Sequence, residues 1–407
     1  MTNTNETNRA RLIEIVRQCQ QDRFHYFPRS AMELPWQNGE LHIVLMGGQK
    51  NSFSYHLDLI EGLTKTNPGL KLLAVVDENP EAMPLRERVH SLGAATIDIK
   101  EFFGSLANYR HCVLVDRYCT WMPGIKYRSK LKDPSYCLLR WEQFLNAPQL
   151  KSPAAFYTEH STNVVNNLDS FLKLERLWKD DLSRDVFYTT LSAYASLDFT
   201  WFAYHCGNHE QRYFPGDIGW NLTDNEVYVD CGALDGSECI IFSELVHHQF
   251  RKIHAFEPNP ESYTVLCKKL AKHAITHELE NIVPYPVGVS DRNAYLRFTG
   301  RDVTVTISDE AADSGPGLFV ARLDDVISDM TYLKLEVEGA ELAALRGARN
   351  LIKADRPKMA ISTYHKPSDF HDLTSFLLNL DLGYEMQLRH QSLEAGVSCI
   401  YASVPTR

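Results

Sequence analysis

The sequence lacks any long apolar run and any excess of basic residues. No stretch of about 18 or more consecutive apolar residues occurs, and residues 1–21 contain no apolar signal core. The 42 lysines and arginines are outnumbered by 52 aspartates and glutamates, which gives a net charge of −10. A chain with this balance is not expected to bind a nucleic-acid backbone. We therefore expect a cytoplasmic protein that binds neither membranes nor nucleic acids.

Paired cysteine motifs are absent as well. The nine cysteines are scattered through the chain, and none belongs to a C-x-x-C motif. This pattern indicates free thiols in a reducing compartment rather than a disulfide framework. His205, Cys206 and His209 stand close together, but no second pair of ligands follows them, so we do not expect zinc there. We interpret His247 and His248 as a solvated helix end.

The length and the hydrophobic pattern indicate two α/β domains. A chain of 407 residues is too long for a single hydrophobic core. Apolar strands alternate with helical stretches near both ends of the chain, which is typical of parallel sheets with crossover helices. We predict a degenerate Rossmann-like N-terminal domain over 1–130, a helical connector over 131–215 and a Rossmann-like, doubly wound domain over 216–407.

Individual elements follow from the same pattern. In the N-terminal domain we predict a helix over 8–25 and strands over 42–46, 71–77 and 112–116. In the C-terminal domain we predict strands over 226–232, 252–258, 282–289, 332–339, 358–365, 383–390 and 398–404. The predicted helices between them cover 237–249, 260–273, 340–353 and 368–380. The last two strands are expected to be antiparallel.

The segment VDCGALDG, residues 229–236, joins a buried strand to a helix. Gly232 and Gly236 permit a tight turn and the close approach of a ligand, and the helix that follows offers unpaired N–H groups. A strand-to-helix turn without a ligand would show the same glycines. The motif alone therefore favours a ligand only weakly.

The next strand ends in FEPNP and adds a second acid, Glu257. An acid at this place can accept hydrogen bonds from ribose hydroxyls, and Pro260 is typical of a helix start. Together the two segments predict a nucleotide-type ligand. The first turn has only the pattern G-x-x-x-G, and the missing third glycine disfavours NAD.

Five motifs in order resemble the FkbM family of S-adenosylmethionine-dependent methyltransferases. They read VDCGALDG, FEPNP, GVSD, KLEVEGAE and RPKMAISTYH, and the resemblance covers about residues 210–407. One departure is Glu336, which stands where the family usually has an aspartate. The resemblance implies S-adenosylmethionine as the cofactor and a hydroxyl group of a sugar or secondary metabolite as the methyl acceptor.

The resemblance also implies roles for individual residues. Asp230, Gly232, Ala233 and Gly236 would line the methionine end of the cofactor. Glu257 would bind the ribose with Asn259 nearby, and Ser290 and Asp291 would neighbour the adenine. Catalytic roles on the acceptor side would fall to His365, Glu338 and Glu336.

Methyl transfer to a hydroxyl needs the donor and acceptor held in line, and it benefits from a general base. We hypothesise that His365 or Glu338 takes the proton, because both stand at predicted strand ends on the ligand-binding edge. Each could instead serve only in packing or hydrogen bonding. A divalent ion held by Glu336, Glu338, Glu341 and His365 is the alternative, but we predict no metal.

Other interpretations stay open at this stage. A nucleotide-binding β-turn-α-β unit is resembled by the segments HIVLMGGQKNSFSY and KLLAVVDEN, in which Asp77 takes the position of the acid of such units. The first segment, however, lacks the G-x-G-x-x-G pattern. We interpret the N-terminal domain as structural or acceptor-recognising. A non-catalytic cofactor-binding protein and an NAD(P) oxidoreductase are the rival functions. The small-molecule acceptor and a homo-oligomeric state are not readable from the residues.

Overall fold

The structure is a computed structural model. It describes residues 2–27, 29–47, 53–83, 85–116, 131, 135–151, 155–207, 211–299, 306–308, 317–392 and 397–405. The chain divides into two compact units. The N-terminal unit comprises Glu6–Leu168 and Tyr188–Tyr204, and the C-terminal unit comprises Met1–Asn5, Asp169–Phe187 and His205–Arg407. The domain boundaries proposed at residues 130 and 215 stay predictions.

The N-terminal unit is built around a five-stranded parallel sheet. Its strands are β1 (Leu41–Met46), β2 (Leu70–Asp77), β3 (Ala95–Asp98), β4 (Cys112–Asp116) and β5 (Cys137–Arg140). They lie in the order β3-β2-β1-β4-β5. Strand β5 falls where the sequence predicts a helical connector, because the short run CLLR suits a half-buried strand at the sheet's edge.

The helices of residues 2–196 include those that cover the apolar faces of this sheet, whereas residues 169–174 and 181–187 belong to the C-terminal unit. These helices are α1 (Thr2–Gln21), α2 (Arg29–Met32), α3 (Phe53–Thr66), α4 (Arg86–Ser91), α5 (Ile99–Gly104), α6 (Trp141–Leu145), α7 (Ala155–Asn166), α8 (Leu168–Leu174) and α9 (Asp181–Ser196). Aliphatic side chains from both sheet faces form two buried clusters. The burial of these faces is the main stabilising contribution in this unit.

The C-terminal unit contains a seven-stranded mixed sheet. Its strands are β6 (Val227–Cys231), β7 (Lys252–Phe256), β8 (Ile282–Tyr285), β13 (Tyr332–Leu335), β14 (Lys358–Ser362), β15 (Glu385–His390) and β16 (Ser398–Ser403). The order is β15-β16-β14-β13-β6-β7-β8, with the first five strands in the chain parallel and the last two antiparallel to their neighbours. The predicted α/β, Rossmann-like fold class is confirmed.

A second sheet of four strands was not predicted from the sequence. Its strands are β9 (Gly288–Val289), β10 (Ala294–Thr299), β11 (Thr306–Ser308) and β12 (Gly317–Ala321), in the order β11-β10-β12-β9. The single strand predicted over 282–289 is therefore two strands in different sheets. Pro286 lies between them and lacks the N–H that would continue the first ladder.

Among the described residues, six α-helices follow β6 in the C-terminal unit. They are α10 (Ser237–Leu245), α11 (Pro260–His277), α12 (Leu323–Val326), α13 (Glu341–Gly347), α14 (Arg349–Asp355) and α15 (Asp369–Asn379). Helix α11 begins where the Asn259 side chain accepts hydrogen bonds from the N–H groups of Glu261 and Ser262. This is the capping interaction expected of asparagine.

The edge strand β15 is covered by a segment from much earlier in the chain. The N–H of Lys179 donates to the carbonyl of Met386 over 2.8 Å. The N–H of Leu388 donates to Ser183 Oγ over 2.9 Å. Part of the predicted connector thus continues the hydrogen bonding of the sheet and protects its edge.

The turn after β6 depends on Gly232. Its φ is +83°, in the left-handed region, and a Cβ added there would lie 1.9 Å from the carbonyl oxygen of Glu336. The loop after β13 therefore passes directly against the turn. Only a residue without a side chain allows this approach.

We expect Gly232→Ala to lower the free energy of unfolding by roughly 2 kcal/mol or more, because it adds left-handed strain and a backbone clash. Gly216→Ala is the matched control, since its added Cβ would meet no atom within 4 Å. Urea unfolding of both variants measures the effect. Equal stability of the two would show that the loop after β13 moves aside freely.

Candidate active site

The predicted site residues gather at one edge of the seven-stranded sheet. Strand β6 is central, with β7 and β8 on one side and β13 and β14 on the other. In the ladder Cys231 lies opposite both Phe256 and Leu335, so the three strands end at the same level. The crevice where the strand order reverses is the usual ligand site of such sheets.

Asp230 lies beneath this crevice in a buried ion pair. Its side chain is fully buried, and its Oδ1 lies 2.9 Å from Lys334 Nζ on the neighbouring strand β13. The same Nζ donates to the carbonyl of Gly232 over 2.6 Å. Burial by itself would lower the pKa of Lys334, but Asp230 and the nearby carboxylates raise it above its ordinary value. The lysine is therefore a fixed positive charge under the glycine turn.

Glu336 takes part in the same charge network. Its Oε2 lies 3.1 Å from Arg212 Nη2, and Tyr364 donates its hydroxyl to Oε1 over 2.6 Å. Burial would raise the pKa of Glu336, but Arg212 and Lys334 lower it to about 2. A carboxylate held this firmly is a poor proton acceptor. The structure thus gives Glu336 a positioning contact with Arg212, and its predicted catalytic role stays a prediction.

Glu257 joins the end of β7 to the glycine turn. Its Oε2 accepts a hydrogen bond from the N–H of Leu234 over 2.9 Å, and its Oε1 accepts one from the N–H of Asn259 over 2.8 Å. Each carboxylate oxygen has a further lone pair. Burial raises the pKa of Glu257, opposed by the two backbone donors. The carboxyl group therefore lies fixed beside the turn.

The other residues predicted to bind a cofactor lie around this turn. Ala233 is buried, and its N–H donates to the carbonyl of Phe256. Gly236 has a φ of +81° and precedes α10. Ser290 follows β9, its carbonyl lies against Gly347, and Asp291 beside it is exposed. Direct contact with a cofactor stays a prediction for all of these residues.

His365 lies between two carboxylates. Its Nδ1 is 2.8 Å from Glu341 Oε1, which also accepts the N–H of Val337. Its Nε2 is 3.6 Å from Glu338 Oε2. Burial would lower the pKa of His365, but Glu341 and Glu338 raise it to about 9. At neutral pH the ring is consequently an imidazolium.

Glu338 reaches the rim of the crevice. Its side chain is 39% exposed, and its backbone adopts φ +52°, which is uncommon outside glycine. Packing around the carboxyl group raises the pKa of Glu338, partly offset by His365. Buried Glu341, by contrast, holds the other ring nitrogen, Nδ1. The arrangement orients His365 through Nδ1 and leaves Nε2 next to Glu338, which reaches solvent.

The four residues weighed as a divalent-metal site have other partners in this structure. Glu336 is bound by Arg212, and Glu341 and Glu338 approach different nitrogens of one ring. Among the residues that the structure describes, three side chains close enough together to hold a metal ion are His248, His273 and His277. His209 lies outside the described residues. Cys206 is exposed, and burial lowers the pKa of His205.

Three residues of the network escaped the sequence-based prediction: Lys334, Arg212 and Tyr364. Lys334 stands inside the apolar run YLKL. A lone lysine in a buried strand indicates that a negatively charged partner is buried beside it. Arg212 precedes the domain motifs, and its guanidinium carbon lies 4.8 Å from the ring centre of Tyr213. No local pattern links Arg212 to Glu336, because only the fold brings them together.

In the N-terminal unit, Asp77 ends β2 as the sequence predicts. It is buried, and its Oδ1 accepts the N–H of Asn79 over 3.0 Å. Residues 48–52 of the imitated nucleotide motif lie outside the described residues. A second nucleotide site stays the less favoured alternative for this domain.

Comparison with known proteins gives a match for the C-terminal region. Residues 230–386 match the model of the methyltransferase FkbM domain. We refer to these residues as the FkbM domain. The match begins at Asp230 and includes Glu257, Glu336, Glu338 and His365, so the FkbM domain contains every predicted site residue. None of the curated protein sequences matches the chain.

Solved structures extend the likeness to the whole fold. The methyltransferase FkbM from Methylobacillus flagellatus KT superimposes with a TM-score of 0.76 at 21% identity, covering 98% of this chain and 100% of that one. A precorrin-6y C5,15-methyltransferase from Geobacter metallireducens GS-15 gives 0.30 at 16% identity, covering 49% and 85%. An O-methyltransferase from Thermotoga maritima gives 0.30 at 12% identity, covering 48% and 66%.

Among the residues that the structure describes, no helix is both long and apolar enough to cross a membrane.

We expect Lys334→Met to destabilise the protein by about 3–5 kcal/mol, because it leaves Asp230 buried without its partner. The double variant Asp230→Asn, Lys334→Met removes both charges and should recover part of that loss. Urea unfolding measures both. Equal stability of the Lys334→Met variant and the wild type would contradict a structural role for the pair.

Proposed function

We propose that this protein transfers a methyl group from S-adenosylmethionine to a hydroxyl group of a sugar or secondary metabolite. The observation that carries the proposal is the Glu257 carboxylate beside the turn Gly232–Gly236, at the crevice where the strand order reverses. The FkbM domain match agrees with this chemistry.

The residues of the crevice suit such a cofactor. Each oxygen of Glu257 is fixed by one backbone N–H and keeps a lone pair, so the pair can accept the two hydroxyls of a ribose. Gly232 and Gly236 bring backbone rather than side chains to the ligand. Ser290 and Asp291 follow β9. A Cβ added to Gly288 in this strand would lie 3.6 Å from Pro258 Cβ. These residues would hold the adenosyl part.

When bound, S-adenosylmethionine supplies an electrophilic methyl group on a positively charged sulfur. The chain has to orient an acceptor oxygen and take its proton. We propose His365 as the base. Glu341 fixes the ring through Nδ1, as the acid does in a serine–histidine–aspartate arrangement. The acceptor hydroxyl would replace Glu338 as the partner of Nε2.

Glu338 then has a second role on the acceptor side. Its carboxylate at the rim raises the basicity of His365 and can accept a hydrogen bond from a neighbouring hydroxyl. Acceptors with several hydroxyl groups would satisfy both residues. The substrate class of sugars and related metabolites meets this requirement.

The cofactor is tested by calorimetric titration with S-adenosylmethionine and, separately, with NADH. We expect binding of the first ligand only. Glu257→Gln should weaken it at least about tenfold, because one of the two acceptor oxygens becomes an NH₂ donor and the other loses its charge. Glu261→Gln, an exposed acid four residues later, is the matched control and should bind normally. Binding of NADH in preference would end the methyltransferase proposal.

The base is tested by turnover, measured as S-adenosylhomocysteine release with a panel of hydroxylated acceptors. We expect kcat to rise with pH toward about 9, because His365 must lose its proton to act. Glu338→Gln should shift this profile to lower pH, since it removes one of the acids that hold the proton. His365→Gln should slow turnover by roughly 10²–10⁴ while leaving cofactor binding intact.

Near wild-type turnover in His365→Gln would dismiss this residue as the base. Tight cofactor binding without turnover on any acceptor would instead favour a non-catalytic, cofactor-binding protein.

A further inference from the structure

Three histidines meet at the ends of two neighbouring helices, far along the chain from His365. His248 follows α10, while His273 and His277 lie one turn apart on α11. A nitrogen of each ring lies within 4.8 Å of a nitrogen of both others. We call His248, His273 and His277 the three-histidine cluster. The earlier interpretation of His248 as part of a solvated helix end is therefore wrong, because its ring is partly buried against α11.

The backbone after α10 is shaped to bring His248 into this cluster. His247 and His248 both adopt left-handed conformations, with φ of 53° and 61°. Two successive non-glycine residues in this region are uncommon and costly. The turn is closed by the N–H of His248, which donates to the carbonyl of Ser243 over 2.7 Å. As a result the ring of His248 stacks on the exposed ring of His277 with 3.8 Å between ring centres. Because a bound metal lies in the plane of an imidazole ring, His277 must turn about its side-chain bonds to share an ion with His248.

Ser243 orients two of the three rings. Its hydroxyl is fully buried and lies 3.0 Å from His248 Nδ1 and 3.0 Å from His273 Nε2. One hydroxyl has one proton, so at least one of the rings must donate its own N–H to Oγ. A ring held at one nitrogen keeps the other for a ligand. Metal-binding histidines are commonly oriented by a second hydrogen bond of this kind.

The electrostatic surroundings of the cluster favour a cation. Helices α10 and α11 both end at the cluster, and helix C-termini carry partial negative charge.

We propose that the three-histidine cluster is a Zn²⁺ site, with three imidazole ligands and water in the fourth position. Three histidines with one open position suit zinc. The helices run back from the strand ends that form the crevice, so the cluster lies at the opposite edge of the sheet. A metal here would tie α10 to α11 and stabilise the FkbM domain rather than take part in methyl transfer.

The alternative is a packed set of neutral histidines without a metal. The two alternatives predict different affinities for Zn²⁺, different effects of Zn²⁺ on the stability of the folded chain and different pH dependence of Zn²⁺ binding. A metal site binds one equivalent of Zn²⁺ and stabilises the folded chain, and both effects disappear when the rings are protonated.

The test uses the full chain without a histidine tag, treated with EDTA and dialysed. Zn²⁺ is titrated by calorimetry at pH 7.5 and pH 5.5, and thermal unfolding is followed with and without Zn²⁺. His277→Ala removes an exposed ligand on a helix, where alanine is well tolerated. His247→Asn is the matched control, because it changes an exposed neighbouring histidine and asparagine tolerates its left-handed backbone.

We expect the wild type and His247→Asn to bind one equivalent more Zn²⁺ than His277→Ala, with the extra equivalent lost at pH 5.5. The unfolding temperature should rise with Zn²⁺ only where that equivalent binds. Co²⁺ in place of Zn²⁺ should show no thiolate charge-transfer band, which excludes cysteine ligands. Identical Zn²⁺ binding by the wild type and His277→Ala, or no binding by the wild type at pH 7.5, would overturn the proposal.

Discussion

The ion pair between Asp230 and Lys334 joins the two strands on which the crevice depends. It spans β6 and β13, between which the strand order reverses, and both side chains are buried. Removing two charges from water is costly, and close pairing with further hydrogen bonds is what offsets the cost. Lys334 adds such a bond to the carbonyl of Gly232, so the pair also sets the conformation of the turn. The glycine turn, Glu257 and the loop after β13 are placed relative to it.

The acids around the crevice divide into two groups by their surroundings. Asp230 and Glu336 face Lys334 and Arg212 and take part in structural ion pairs. Glu338 reaches solvent, and His365 beside it is held by Glu341. A sequence motif cannot make this distinction, because all of these residues appear in it as acids near strand ends. The three-dimensional structure separates the acids that neutralise buried cations from the acids that can contact a substrate.

Much of the C-terminal fold follows from the sequence because its signals are local. Strands β6, β7, β13 and β14 are short apolar runs that end in charged or turn residues, and these patterns predict both the strands and the edge that binds ligands. The order of the five motifs then indicates the FkbM family. The N-terminal sheet is likewise visible as three apolar strands.

What the sequence does not reveal depends on contacts between distant residues. The second sheet arises where Pro286 interrupts a strand that otherwise looks continuous. The contact of Arg212 with Glu336 joins residues 124 positions apart. The three-histidine cluster needs two helices to end together and a chain reversal at His247 and His248. None of these has a local pattern, since periodicity reports burial and not partners.

The covered edge of the seven-stranded sheet shows which residues fold together with it. The family match begins at residue 230, yet the backbone of β15 is hydrogen-bonded by Lys179 and Ser183. The match also ends at residue 386, inside β15, so the matched region alone lacks most of β15 and all of β16. A fragment that began after residue 183 would keep these strands but leave the edge of β15 open, and open strand edges pair readily with other chains. Residues 178–183 therefore belong to the folding unit of the seven-stranded sheet.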